Sequence, residues 1–488
     1  MTSVATPTSR CKIGIASCDI TPPVGIYHRF WGAARHDAAT GVHRPLAATA
    51  IALWHDGDAD SGQPFLLVAI DHCLFRPVEM DELLNKTAAI ADVSADSILF
   101  LFSHTHSGSN VARDRSSLPG GEKIGPYLDS LPEIIGGACR QAIGNLQPAT
   151  MTYAKTTCDM GHDRDFWDEK NNRYVCGFNP DAESGLPVQV IRVSDRDNCP
   201  LATIVNYPCH ATTLAWDNTL ISPDYIGALR ETIESTTGEP CIFLPAPCGD
   251  IGPRVGFVGD TDIADSNGRQ LAYAALSALE SMPPAQNDFH YCGPVLSGAT
   301  LGKWEFRPLT EERQNAVSSF RHRQWSESLK YRDRLPTVAD TEHEYAQLLA
   351  DEAAARQAND DEEAQRCRAL AERKHRLLDR IRPLPQEDTY PFRIDAWQIG
   401  DAFWVAVEGE PYFDLQEKLT SRFSDQTIIV IPLANGSRCS YLPTAEAFDK
   451  PLYQVDVALL AASSLELVTN AIETQIAGWL EVDRPSPG

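Results

Sequence analysis

The sequence predicts an α/β protein: a single large domain with a mostly buried mixed sheet flanked by helices, and a helical insertion within it. Three observations carry that expectation. Short runs rich in Val, Ile, Leu and Phe recur along the chain, amphipathic helical patterns fall between them, and the stretch 309–380 is dense in Glu, Arg, Gln and Ala.

The apolar runs at 47–54, 65–70, 98–102, 188–193, 202–206, 242–244, 403–407 and 427–431 have few polar positions, the pattern of strands covered on both faces. Helices are expected at 77–91, opened by Pro77, at 126–146, at 223–236 with Ser222 or Asp224 near the N-cap, and at 266–280. A last helix, 457–480, carries Leu465, Val468, Ile472, Ile476 and Trp479 at helical spacing. The insertion 309–380 reads as a helical hairpin, a solvated amphipathic pair with no chemistry of its own. Without repeats or low-complexity linkers, one domain is expected over 1–488.

With 488 residues and 43% hydrophobic content, the chain can bury one large core or two ordinary ones. Its 42 Lys and Arg against 67 Asp and Glu, a formal charge of −25, argue against nucleic acid or an anionic membrane surface as the main partner. Residues 1–10 are polar, and no uninterrupted apolar stretch approaches the ~20 residues of a membrane span, so a cytoplasmic location is expected. The thirteen cysteines form no Cys-x-x-Cys pairs and read as reduced thiols. A homo-oligomer is compatible with the sequence, which does not fix the oligomeric state.

Chemistry-bearing residues gather at strand ends. Ser103-His104-Thr105-His106-Ser107-Gly108 follows the 98–102 run directly. Strand residues alternate faces, so His104 and His106 leave on one side and can address one metal ion or one polar substrate group. His210 follows the 202–206 run, and Pro247-Cys248-Gly249-Asp250-Ile251-Gly252 follows 242–244. The two glycines suit a tight turn, and Asp250 can hold either that turn or a histidine. Glu408-Gly409-Glu410-Pro411 and Ser440-Tyr441 bring ionisable oxygens to further strand ends.

These segments occur in a telling order: Asp19-Ile20-Thr21-Pro22-Pro23, 41–48, Val68-Ala69-Ile70-Asp71, 103–108, Asp163-Arg164, His210-Ala211-Thr212-Thr213, Ser222-Pro223-Asp224-Tyr225, Gly249-Asp250, Gly409-Glu410-Pro411, and Tyr441 in a Tyr-x-x-Thr context. Over nearly the whole chain, that order resembles the catalytic domain of the neutral (non-lysosomal) ceramidase family, zinc-dependent amidases that cleave the N-acyl bond of a sphingolipid. The resemblance implies Zn2+ held by His104, His210, Glu410 and Tyr441. Two imidazoles and a carboxylate, completed by a tyrosinate, suit a catalytic zinc ion, although spacing alone does not choose between His104 and His106. His106 then lies beside the site, where it can hydrogen-bond the substrate carbonyl or the water and protonate the leaving nitrogen. Asp71 is expected to fix a histidine tautomer, and Arg164 to stabilise oxyanion charge.

Gly252 stands where ceramidases carry a serine, so ceramide itself is not the expected substrate. The chain also ends soon after its closing helix, without room for the family's C-terminal β-sandwich. The expected activity is zinc-dependent hydrolysis of the carbon–nitrogen bond of a small-molecule amide, with a metal-activated water as nucleophile. Ester or lactam hydrolysis at the same site, a non-catalytic small-molecule-binding relative, a metal-dependent phosphoester hydrolase, and nucleophilic catalysis by Cys248 are the alternatives. Pocket walls are expected from 109–123, from 166–179 with Trp167, Tyr174 and Phe178, and from the insertion.

Overall fold

A computed structural model describes residues 2–56 and 62–482. Eight strands form the larger sheet: β1 (Thr8–Asp19), β2 (Ala47–Trp54), β3 (Phe65–Ile70), β4 (Ile98–Phe102), β5 (Gln147–Cys158), β6 (Leu186–Ser194), β7 (Pro200–Tyr207) and β8 (Cys241–Pro245). Their order is β8-β7-β6-β5-β1-β2-β3-β4, with β3·β4 and β7·β8 parallel and the rest antiparallel. A second sheet has the order β9 (Phe320–Lys330), β10 (Thr389–Ile399), β11 (Ala402–Val407), β12 (Thr427–Ile431), the last pair parallel.

The strands alternate between two apolar environments. Ala50, Val68 and Phe100 point to helices, whereas their neighbours Ile51, Leu67, Leu99 and Leu101 point to the second sheet and meet Trp397, Trp404, Ile429 and Ile431. Each such aliphatic side chain contributes about 1.5–3 kcal/mol by burial. The indole N–H of Trp404 would be costly unpaired in that interface; it donates to the Tyr153 hydroxyl at 3.2 Å.

Helices cover both outer faces. α1 (Pro77–Ala91) and α2 (Ile124–Gly144) pack Met80, Leu83, Leu131 and Ile135 on one half of the larger sheet. α3 (Tyr225–Thr237) and α4 (Thr261–Ser281) pack Leu229, Ile233 and Leu271 on the other. Asp224 caps α3 by accepting from the Tyr225 N–H, and Gly238, at φ +79°, ends it. α5 (Val338–Gln357) and α6 (Asp361–Ile381) form the inserted hairpin, while α7 (Asp414–Arg422) and α8 (Ser464–Val482) cover the second sheet.

The α/β class and every expected apolar strand are therefore present, but one flank of the large sheet is a second sheet rather than helices. The helical insertion is also narrower than 309–380, because β9 lies inside that range. Its Arg, Glu and Gln content suggests helix, yet it is an edge strand paired with β10 along its whole length, so only one face needs apolar cover. All thirteen cysteines are unpaired. Among the described residues, no helix is long and apolar enough to cross a membrane.

Candidate active site

The parallel pairs bring loop after loop to one end of the sandwich. Beyond β3 and β4, the Ser103 N–H donates to the Ile70 carbonyl at 2.9 Å and the His104 N–H to that of His72 at 3.0 Å. His104 then turns to φ +62°, a left-handed conformation that costs a non-glycine residue about 1–2 kcal/mol and breaks the strand's alternation. After β7, the His210 N–H donates to the Ile251 carbonyl at 3.2 Å, and the His106 N–H reaches across to that of Ala211 at 3.3 Å. From the second sheet, Glu410 and Pro411 pair in parallel with Tyr441 and Leu442. Gly409 precedes them at φ +75°, where an added Cβ would lie 2.5 Å from Cys439 Sγ and 2.9 Å from the Ser440 carbonyl oxygen.

Nε2 of His104 and Nε2 of His210 each lie 3.4 Å from Oε2 of Glu410. The Tyr441 hydroxyl lies 3.4 Å from the same nitrogen of His210. Both rings are anchored at Nδ1, His104 to the Cys73 carbonyl at 2.8 Å and His210 to the Cys248 carbonyl at 2.7 Å. A carbonyl accepts only from N–H, so the anchors place the proton on Nδ1 and turn both Nε2 atoms toward Glu410. Glu410 Oε1 accepts from Ser437 Oγ at 2.8 Å, whereas Oε2 is buried with no hydrogen-bond partner among the described residues. A bare carboxylate oxygen between two aimed imidazoles is a donor set that fits a divalent metal such as zinc.

Burial opposes charge on His104, but Cys73 and Glu410 lift its pKa well above the ordinary imidazole value; burial likewise opposes ionised Glu410, yet the two histidines hold it well below the carboxylate range. Burial and the Arg164 guanidinium push His210 down to about 3. His106 lies between Phe30 and Trp31, with ring centroids 4.8 and 5.1 Å away, and its buried Nε2 has no partner. Burial and the neighbouring imidazoles hold its pKa well below normal, so it is a neutral base. Spacing left His104 and His106 equivalent; the geometry turns His104 to Glu410 and His106 to the aromatic wall.

Arg164 is fully enclosed behind Tyr441, donating to the Gly249 carbonyl at 2.6 Å and to the Tyr441 hydroxyl at 3.2 Å. It positions the phenol rather than facing substrate. Burial and Glu410 push the Tyr441 hydroxyl pKa up, and Arg164 works in the opposite sense. Asp71 touches no histidine of the site: Oδ2 accepts from the Ala47 N–H at 2.9 Å and from Arg230 at 2.5 Å, joining the end of β3 to α3. Backbone carbonyls set the tautomers in its place. Asp250 holds the turn, its Oδ1 accepting from the Phe413 N–H at 2.8 Å and its carbonyl from the Arg164 N–H at 3.0 Å. Burial pushes the Cys248 thiol up, the wrong direction for a nucleophile. A Cβ at Gly252 would meet Arg164 Cδ at 3.6 Å and Thr212 Oγ1 at 4.0 Å, so a serine has room there.

His104, His106, Glu410 and Tyr441 line a cavity of about 130 Å³. Its walls come from the 109–123 loop, through Val111 and Arg115, and from α6, through Arg376 and Arg380. The 166–179 segment stands apart from it. Trp167 packs on Tyr174 at 5.0 Å and Phe178 on His162 at 4.8 Å, satisfying each other instead of the pocket. A second group, Asp114, His375 and Asp379, is also close enough to hold an ion, but Arg76 already bridges its two carboxylates at 2.5 and 2.8 Å. Cys73, His104 and His106 form a third, sharing His104 with the first. The insertion was expected as a pocket wall and α6 is one, but Ser437 and the individual arginines of α6 were not singled out from sequence; Ser437 has no signal beyond its nearness to Tyr441, and the arginines of α6 look like ordinary surface charge.

No family profile matches the chain, and no curated protein matches it by sequence. Among solved structures, it is similar to the neutral ceramidase from Pseudomonas aeruginosa, at 15% identity and a TM-score of 0.59, over 96% of this chain and 73% of that one. A ceramidase complexed with C2 is similar at 15% identity and a TM-score of 0.60, over 96% of this chain and 74% of the other. The chain therefore has a ceramidase-like fold.

Proposed function

We propose that this protein is a relative of the neutral ceramidases and a zinc-dependent hydrolase that cleaves the carbon–nitrogen bond of a small, non-ceramide amide. The observation that carries the reading is the bare, buried Oε2 of Glu410 between two imidazoles aimed by backbone carbonyls, at the floor of a cavity. His104, His210 and Glu410 would hold the ion, with Tyr441 beside them. When bound, zinc supplies Lewis acidity and an acidified water. The protein's own groups handle the protons and the shape. His106 Nε2, neutral and without a partner, takes a proton from the attacking water and returns it to the leaving nitrogen. The water oxygen joins the acyl carbon, the carbon–nitrogen bond breaks, and a carboxylate and an amine leave.

The cavity of about 130 Å³ supports a small substrate, since pockets that engulf larger ligands run to ~300–1,000 Å³. Gly252 removes the hydroxyl of the family serine, which also weighs against ceramide. A cytoplasmic setting, where thirteen unpaired thiols stay reduced, belongs to the same reading. The test is elemental analysis of the purified protein and its His210→Ala variant, each assayed on N-acyl amides, lactams and esters. One zinc per chain, lost with hydrolysis in the variant, supports the proposal. Hydrolysis that survives the substitution, or no turnover of any acyl substrate by the zinc-loaded protein, contradicts it.

A further inference from the structure

Five arginines line the cavity, and four have carboxylate partners. Arg76 bridges Asp114 and Asp379, Arg115 clamps Glu372 through two hydrogen bonds of 2.7 and 2.9 Å, Arg376 shares Glu372, and Arg438 pairs with Asp81. The fifth, Arg380, differs. Among the described residues no carboxylate lies within ion-pair distance of it; the phenols of Tyr453 and Tyr441 and the carboxylate of Glu410 line the cavity with it and act on its charge. It is only partly exposed. A half-desolvated guanidinium without a counter-ion is expensive, and its planar fork matches an oxyanion bidentately. Glu410 acts on it through its charge but is not paired with it, because its two oxygens are turned to Ser437 and to the two imidazoles. Part of the wall is apolar, with Phe30, Leu74, Phe75 and Val111.

We propose that Arg380 is a specificity-determining residue that pairs with a carboxylate or equivalent oxyanion on the substrate, so that the enzyme acts on short anionic amides rather than neutral lipids. This rests on the hydrolase reading for the reaction, but not for the binding. Four arginines locked on protein carboxylates shape the wall, and the unpaired one reads the ligand. The hairpin that sequence patterning assigns to solvent thereby supplies the selectivity.

Calorimetry on the full chain tests this with N-hexanoylglycine, which places the anion on the amine side, N-butylsuccinamic acid, which places it on the acyl side, and neutral N-hexanoylethanolamine. Titrations are run on zinc-loaded and chelator-treated protein. Wild type should bind at least one of the acids at least about tenfold more tightly than the neutral amide in both metal states. Arg380→Gln should bring that ratio close to one, and Arg380→Lys should restore part of it. Arg366→Gln, an exposed change on the same helix, should leave it intact. Because each ratio compares ligands on one protein, a general loss of fold does not imitate the effect. Equal affinities in wild type, a ratio unchanged in Arg380→Gln, or a preference that vanishes with the metal would overturn the proposal. An Arg380-dependent preference without turnover of any acyl substrate would leave it standing and remove the hydrolase reading.

Discussion

Replacing Gly409 with alanine tests how the fold builds the site. The residue sits at φ +75°, and an added Cβ would approach Cys439 Sγ at 2.5 Å, the Ser440 carbonyl oxygen at 2.9 Å and Leu442 Cδ1 at 3.0 Å. The left-handed conformation costs alanine about 1–2 kcal/mol, and forcing a methyl into a packed site typically adds about 1–3 kcal/mol, giving about 2–5 kcal/mol in all. All three contacts lie in 439–442, the segment that pairs with Glu410, and the Ser440 carbonyl is backbone that accepts from the Glu410 N–H, so relieving the strain pushes on the Glu410–Tyr441 ladder. That movement separates donors contributed by both strands. Stability and metal affinity should therefore fall together, read by urea denaturation and by zinc titration against a chromophoric chelator. Gly137→Ala is the control: in α2, with nothing within 4 Å of the new Cβ, it should raise stability by about 0.5–1 kcal/mol. A Gly409→Ala protein that unfolds at the wild-type urea concentration and binds zinc as tightly would refute the reasoning.

Two further outcomes follow from the groups behind the site. Arg164→Met removes the donor on the Tyr441 hydroxyl; kcat should fall about a hundredfold, with KM changing much less, on whichever amide the wild type hydrolyses, and an equal effect on both would assign Arg164 to substrate binding. Burial and the nearby Asp163 charge raise the Asp250 carboxyl to about 7, although the Phe413 N–H works against that. A group that holds its proton more tightly when folded contributes stability below its unfolded pKa of ~3.9 and loses it as pH rises to the folded value. Between pH 4 and 7, Asp250→Asn should gain stability relative to wild type in parallel urea titrations; a constant difference across that range would contradict the burial.

The parts legible in the sequence are those in which one physical signal dominates. Ile98–Phe102 and Ala402–Val407 are apolar on both faces because each lies between a sheet and helices, so their hydrophobicity alone marks them. Thr8–Asp19 was not recognised because its large core residues, Ile13 and Ile15, are interspersed with small and polar ones: at Gly14, between them, a Cβ would lie 2.0 Å from the Ala142 carbonyl oxygen, where α2 crosses the strand. The second sheet was missed for a related reason, since facing another sheet or facing a helix leaves the same alternation in a strand. At the site, residue types were legible but directions were not. The positive φ of His104 and the carbonyl anchors at Cys73 and Cys248 decide where the imidazoles point, and neither has a signature in side-chain pattern. Arg380 is indistinguishable in sequence from its surface neighbours on α6; only the tertiary packing turns it inward.

The central claim is that His104, His210 and Glu410 form the metal centre, and anomalous diffraction at the zinc absorption edge on crystals of the zinc-loaded protein tests it most directly. The account predicts one strong peak bonded to those three side chains, on the Tyr441 side of the cavity floor. A peak at Asp114, His375 and Asp379, one held by Cys73 and His106 without Glu410, or none at all would contradict it.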